Sequence, residues 1–459
     1  MFLKFKKRFL WLHYRTIFFF GVASFILLSW NSVIGQSLDA LPPGFNYEVK
    51  ALQFDSTTNY LYAAGGFTQL FGTSATINKI ARWNGSTWDS LGSGVNDNGQ
   101  IFALNTYNGY LLSGGSFNEI GGISSRGLAK WDGANWTALA NAVDNQNNGA
   151  VGCLYVTNSN LYVGGWFDTI NGIPAQGIAR FDGTNWYSYP SFGGSFHYIT
   201  AIILFNNELY IGGNFNGGVG KADILKFDGV SWISVGGGLS GANTWINDFK
   251  IFQNKLFVGG YFQTNNGDPG NNIAIWDGVA WSQPGSGLMP SNVFEMIVFD
   301  NKLFAGGQIN VANGIPVSFV AIWDGSSWLD FYGNILDNGV TAFATNGNDL
   351  YLGGGFQNIN NLPHRKVAKY SLLSGLNDSN ASCFSIYPTI NTGRLTLYDN
   401  CGLKIQEIKV FNSLGQLVQC KSNSVEIFQE VDITGLPGGI YLISVSNFKF
   451  THKFRVFKN

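Results

Sequence analysis

Two acidic residues, Asp248 and Glu295, stand 47 positions apart near the starts of two successive stretches of β-like pattern. Carboxylates brought together in this way can bind a cation or divide into a general acid and a general base across a scissile bond. More often such groups stay solvated or accept backbone N–H groups, and that plainer reading is favoured here. The other candidates for chemistry are thin. The four histidines, His13, His197, His364 and His452, are too scattered for a metal site, and Cys153, Cys383, Cys401 and Cys420 show no zinc spacing. Glycine clusters such as VGGGLSGAN lack the Lys-Ser/Thr ending and the helix of a phosphate loop, and no nucleophile elbow is present. No catalytic residue, metal or cofactor is assigned, and a binding role is preferred to an enzymatic one.

Binding residues are easier to derive. The variable residue that follows a recurrent Gly-Gly is Trp166, Asn214, Tyr261 or Gln308 in four of its occurrences, and His197 and Trp245 fall in adjoining loops or strand starts. Aromatics beside amides suit a sugar or a peptide. Packing between repeats is the plainer role for Trp166 and Tyr261.

These residues are positioned by a repeat. The phrases LYAAGGF, LLSGGSF, LYVGGWF, LYIGGNF, LFVGGYF, LFAGGQI and LYLGGGF begin at Leu61, Leu111, Leu161, Leu209, Leu256, Leu303 and Leu350, spaced 50, 50, 48, 47, 47 and 47 residues apart. Each unit holds four strand candidates: A, such as QIFALNT; B, the Gly-Gly phrase; C, such as GLAKW; and D, which opens on a Trp. In six units an aromatic closing C stands five residues before that Trp, as in Trp83 and Trp88 or Phe181 and Trp186, with Asn-Gly or Asp-Gly starting the reversal between them. Recurrence in a turn makes that Asp a cap rather than a site. The seventh unit stops at KVAKYSLL, and LDALPPGFNYEVKAL near the other end lines up with WDSLGSGVNDNGQIFAL. Residues 37–45 are therefore expected to supply the missing outer strand. The period predicts an all-β chain with a seven-bladed β-propeller at residues 37–372.

Composition agrees with an all-β chain: 60 glycines, 15% aromatic and only 12% charged residues. A formal net charge of −1 without a basic stripe argues against nucleic acid. Residues 1–36 have the basic start, apolar run from Ile17 to Leu28 and small polar ending of a cleaved signal peptide. No later stretch is long and apolar enough to span a bilayer, so no stable membrane segment is expected after processing. The cysteines are too few for a disulfide scaffold. Cys153 fills a column otherwise held by Ala51, Ala103, Ala201 and Ala342, which predicts a small buried residue, and at most two of Cys383, Cys401 and Cys420 can pair with one another.

With doubled glycines in strand B and a Trp after the next hairpin, the unit resembles kelch and galactose-oxidase-type propeller repeats. It is still more similar to the LYVGGxF…IAxWDGxxW units of secreted bacterial propellers and fungal cortical polarity markers. The copper ligands of galactose oxidase have no counterpart here, and a shared propeller implies little about activity. Beyond a polar linker at residues 373–383, residues 384–459 alternate like a small Ig-like β-sandwich. Within them, YPTINTGRLTL, IKVFNSLGQLV and DITGLPGGIYLISV…HKFRVFKN carry Pro388, Gly393, Gly415, Gly439, Tyr441 and Lys453. In that order they resemble the type A C-terminal sorting domain of the type IX secretion system, although Thr389 and Ile390 replace the usual Asn-Pro after Pro388. The resemblance implies a source among the Bacteroidota and export by way of the type IX machinery. It also implies tail removal by a sortase, then attachment to the outer-membrane surface or release. The expected function is a secreted binding module for a glycan or surface protein. The alternatives are an extracellular propeller enzyme acting on polysaccharide and a structural component of the cell surface.

Overall fold

The computed structural model describes residues 36–458 apart from 141–142, 145–148, 158, 219–222, 240–243, 265–268, 373–383, 388–389, 392, 400–404, 406, 413–415, 423–427 and 447–450. The segment expected to be a signal peptide, up to residue 35, the expected linker, Pro388, Gly415, Cys383 and Cys401 thus lie outside the described residues. Among those described, every regular element is a β-strand.

Local chemistry builds the same small sheet again and again. In sheet one, Val49–Asp55, Tyr60–Gly65, Ile80–Trp83 and Trp88–Ser90 pair antiparallel in chain order. The same four-strand path recurs in sheets two to six, whose first strands are Ile101–Tyr107, Ala150–Val156, Gly193–Phe205, Trp245–Phe252 and Leu288–Phe299. Between the third and fourth strands the turn is fixed by side-chain acceptors. Asp324 Oδ1 takes the N–H groups of Ser326 and Ser327, both at 2.8 Å, and Asp132, Asp182, Asp228, Asp277 and Asn84 do the same in their own turns. The glycine after each acceptor has φ between +98° and +107°, a conformation that a Cβ would strain. Burial works against ionisation of Asp324, yet the backbone donors win and hold its carboxyl down at about 2.

That turn aims two rings at each other. Trp83 and Trp88 lie 5.3 Å apart between centroids, as do Trp131 and Trp136, and Trp323 and Trp328. The fourth-strand indole then reaches the sheet before it. Trp136 Nε1 donates to Leu91 O at 2.9 Å, Trp232 to Pro190 O at 3.0 Å, Trp281 to Val235 O at 3.0 Å and Trp328 to Pro284 O at 2.9 Å. In sheets two to seven the first glycine of the Gly-Gly phrase makes room in the other direction. A Cβ on Gly212 would stand 2.6 Å from Phe249 of sheet five, and one on Gly353 would stand 2.7 Å from Val49 of sheet one.

Sheet seven joins Val340–Thr345, Asp349–Gly354 and Val367–Leu372 to an outer strand from the other end of the described chain, Gln36–Ala40. Its register puts Gln36 opposite Leu372, Leu38 opposite Tyr370 and Ala40 opposite Ala368. The strand starts one residue before the expected 37–45 and ends well short of it, because Pro42 and Pro43 have no N–H to continue a ladder. Trp88 of sheet one donates its indole N–H to Leu41 O at 3.1 Å, just past this strand. First strands of successive sheets are in contact throughout, and those of sheets one and seven also touch. One apolar cluster accordingly mixes Val49, Leu61 and Trp88 with Ala342, Tyr351 and Val367.

Near the C-terminus, Phe384–Tyr387, Arg394–Asp399 and Phe428–Asp432 form a three-stranded sheet. A five-stranded sheet runs in the order Ile390–Asn391, Thr451–Lys458, Gly439–Ser446, Glu407–Asn412, Leu417–Ser422. Leu395, Leu397 and Val431 of one sheet share a core with Ile408, Val410, Ile443 and Val445 of the other.

Deleting Gln36–Ala40 bares the ladder edge of Val367–Leu372. A loss of about 3 kcal/mol is expected at roughly 1 kcal/mol per ladder hydrogen bond, with faster self-association. Denaturant unfolding alongside light scattering checks this, and an unchanged midpoint would show that the strand contributes nothing.

Candidate functional site

Each first strand carries a β-bulge at one equivalent place. The register slips between Val49 and Ala51, Ile101 and Ala103, Val151 and Cys153, Ile199 and Ala201, Ile246 and Asp248, Val293 and Glu295, and Val340 and Ala342. Such bulges re-aim the residue that follows. Glu295 therefore occupies the same column as Asp248, and the 47-residue spacing was the signal for it. Cys153 sits in that column too. Burial pushes its thiol far above the usual range, and its Sγ lies 3.7 Å from Ile199 O.

The two acids bind neighbouring strands. Asp248 Oδ2 accepts the N–H of Met296 at 2.7 Å and its Oδ1 that of Phe249 at 2.8 Å. Glu295 Oε2 accepts the N–H of Phe343 at 2.8 Å, one sheet further on. The same seam carries Asn247 Nδ2 to Val293 O at 2.7 Å, Thr341 Oγ1 to Val49 O at 2.6 Å, and Thr200 Oγ1 to Ile246 O. Both residues are half-buried, and desolvation raises both pKa values. For Glu295 the nearby Asp248 charge adds to the rise, while Lys250 and the Phe343 N–H oppose it, leaving it at about 8. The arrangement suits strand-to-strand stapling, with Glu295 largely protonated at neutral pH. Among the described residues, no group of three or more His, Cys, Asp and Glu is placed to hold a metal ion.

The residues read as binding candidates share one register position of the first and second strands, which is the strand end in sheets three and five and lies inside the longer hairpins Gly193–Phe205/Glu208–Gly218 and Leu288–Phe299/Lys302–Ala312 of sheets four and six. Trp166 lies opposite Ala150, Asn214 opposite Tyr198, and Tyr261 opposite Trp245. Trp166 and Tyr261 are 36% and 37% exposed, so interior packing does not consume them. Asn214 is half-buried and donates to Thr244 O at 3.1 Å, and the exposed Gln308 donates to Asn338 Oδ1 at 3.2 Å. Trp245 is half-buried, edge-on to Tyr198 at 5.8 Å. His197 does not join them. It is 5% exposed, packed edge-on to Phe192 at 5.9 Å, with Nε2 3.3 Å from Phe167 O and 3.4 Å from Asp168 Oδ1. In a strand, adjacent side chains point to opposite faces, so its neighbour Tyr198 holds the equivalent place. Sequence reasoning missed Tyr198 by that single step.

In the tail, Gly393 has φ +113°, and a Cβ there would stand 2.6 Å from Thr434 Cα. Gly439 opens the Gly439–Ser446 strand, Tyr441 donates its hydroxyl to Pro437 O at 2.6 Å, and Lys453 pairs in register with Ser444. Lys458 Nζ ties the final strand to Thr434 O and Leu436 O. Cys420 is an exposed free thiol.

The secretion system C-terminal sorting domain family matches residues 385–458. The chain thus ends in a sorting tail, which implies export through the type IX secretion system, contact with its machinery, and a cell-surface or secreted location. No helix among the described residues is long and apolar enough to cross a membrane. Comparison with curated proteins finds no match. One solved structure with similarity is the extracellular domain of a hybrid two-component system from B. thetaiotaomicron, at 9% identity and a TM-score of 0.47 over 90% of this chain. The chain spans 56% of that structure's length.

A carboxyl whose folded pKa stands above its ordinary 4.5 adds stability while protonated; that stability is full below about 4.5 and is lost as pH rises through about 8. The unfolding free energy from denaturant titrations at pH 5, 7 and 8.5 should fall for the natural protein, by on the order of 3 kcal/mol in all. Glu295→Gln keeps an acceptor for Phe343 and cannot ionise, so its stability should fall less steeply over the same range, the remaining slope coming from Asp248, whose pKa is also raised. Parallel curves for the two proteins would contradict a protonated Glu295.

Proposed function

We propose that residues 37–372 form a seven-bladed β-propeller and that the mature protein is a binding module, attached to the cell surface or released. The segment expected as a signal peptide at 1–36 is read as removed by a cut just before Gln36, which leaves Gln36 in the outer strand of sheet seven, with 373–383 as a linker and 384–459 as a detachable sorting domain. The sheet-to-sheet contacts of the first strands, which join sheet seven to sheet one, support the propeller. So does the seventh sheet's use of Gln36–Ala40. The observation that carries the binding reading is the partial exposure of Trp166 and Tyr261 at equivalent strand ends. A glycan or a surface protein is the ligand in view. Engagement of carboxyl oxygens of the half-buried Asp248 and Glu295 by main-chain N–H groups favours binding over polysaccharide cleavage.

Two measurements test the proposal. Mass spectrometry of surface and medium fractions from a type IX-competent host should find a mature start near Gln36 and an end within 373–383, whereas deletion of 384–459 should hold the protein inside the outer membrane. A single species retaining both ends would overturn the processing scheme. The Asp248→Asn, Glu295→Gln double variant should retain ligand, and the natural protein should show no cleavage of polysaccharide that these acids control. Turnover lost on that double substitution would favour the enzyme.

A further inference from the structure

The strand ends that hold Trp166 and Tyr261 are not alike around the molecule. Each pairs the first residue of a strand A position with the residue after Gly-Gly. In sheet seven both are glycines, Gly339 and Gly355; in sheet one they are Glu48 and Gly66; in sheet two, Gln100 and Ser116. Sheets three to six differ as a block. There the pairs are Ala150 with Trp166, Tyr198 with Asn214, Trp245 with Tyr261, and Asn292 beside Gln308. Aromatic rings therefore occur at these positions only in one continuous arc of touching sheets, together with the amides Asn214, Asn292 and Gln308, while the other three sheets place Gly339, Gly355, Glu48, Gly66, Gln100 and Ser116 there.

The charge distribution narrows the ligand. None of the positions in the aromatic arc is ionisable apart from the tyrosines, whereas Glu48 stands in the other arc, near Lys366. Among the described residues, a phosphate, a uronate or an acidic peptide would find no cation at these positions. Strand addition by a peptide backbone is also closed off next to them, because the neighbouring main-chain groups already have partners. Ile246 O and Val293 O accept from Thr200 and Asn247, and the N–H groups of Met296 and Phe343 are taken by Asp248 and Glu295.

The arc is also held in place before any ligand arrives. Tyr198 and Trp245 brace each other edge to face, Asn214 is tied to Thr244 O, and Asn292 Oδ1 accepts from Asn247 Nδ2 at 2.6 Å. Side chains already ordered lose little entropy on binding. Flat apolar faces next to amide donors and acceptors match a pyranose ring, which is apolar on its C–H face and carries hydroxyls around its edge.

We infer that this arc binds a neutral oligosaccharide, its sugar rings stacked on Trp166 and Tyr261 and its hydroxyls met by Asn214 and Gln308. This rests on the binding-module reading and names the ligand class for it. The full chain is titrated by tryptophan fluorescence with cellohexaose, maltohexaose, xylohexaose and mannohexaose, with hexagalacturonate as the charged comparator. At least one neutral hexasaccharide should bind in preference to hexagalacturonate. Tyr261→Ala and Gln308→Ala should each weaken it, the former by about tenfold or more, without moving the unfolding midpoint. Tyr187→Ala, an exposed ring on a fourth strand, should bind as the natural protein does. Preference for hexagalacturonate, no binding of any hexasaccharide, or equal binding by all variants would overturn the inference. A displayed random-dodecapeptide library separates the two failures: selection of peptides sensitive to Tyr261→Ala would leave the binding module standing with the wrong ligand class, and selection of none would remove both.

Discussion

Trp88, Trp136, Trp232, Trp281 and Trp328 each donate an indole N–H to a main-chain carbonyl that follows the outer strand of the preceding sheet. That bond sets how one small sheet sits on the next. A four-stranded sheet with short outer strands buries too little to stand alone, and the indole supplies both a large apolar surface and a donor whose loss would strand a carbonyl. The Asx turn serves the same contact, since it aims the Trp from the far side of a four-residue reversal. The Gly-Gly phrase clears the opposite face so that rings and branched side chains of the following sheet can approach the backbone.

Because each sheet leans on its predecessor, sheet one needs something before it. Leu41 O fills that place for Trp88, and Leu38 stands in the outer-strand position that a Trp holds elsewhere. The described N-terminal strand and the last repeat strand thus end side by side, Gln36 opposite Leu372. Within the proposed processing scheme, both cuts fall next to one sheet edge, so removal of the tail leaves the pairing that holds sheet seven intact.

The bulge column shows how one structural position can take different loads. Alanine fills it in four sheets, where a methyl suffices, while Asp248 and Glu295 reach across to main-chain donors of the following sheet. Desolvation makes charge costly there and leaves Glu295 largely protonated at neutral pH.

Much of this was legible in the residues alone. The period of 47 to 50 positions, the Gly-Gly phrase and the Asp-Gly turn specify local geometry, and local geometry follows from φ preference and side-chain acceptors within a few residues. The displaced outer strand was also legible, as a missing Trp phrase at one end and an orphan match at the other; its early stop at Pro42 is equally a matter of local backbone chemistry. The sorting tail showed through three ordered motifs. What tertiary structure alone decided were the facts that depend on which side chain faces which neighbour: that Tyr198 and not His197 shares the register position of the aromatics, and that the two acids are spent on backbone N–H groups. A one-residue step in a strand reverses the face, and burial is a property of what the next sheet brings. Neither is written in the spacing of residue types.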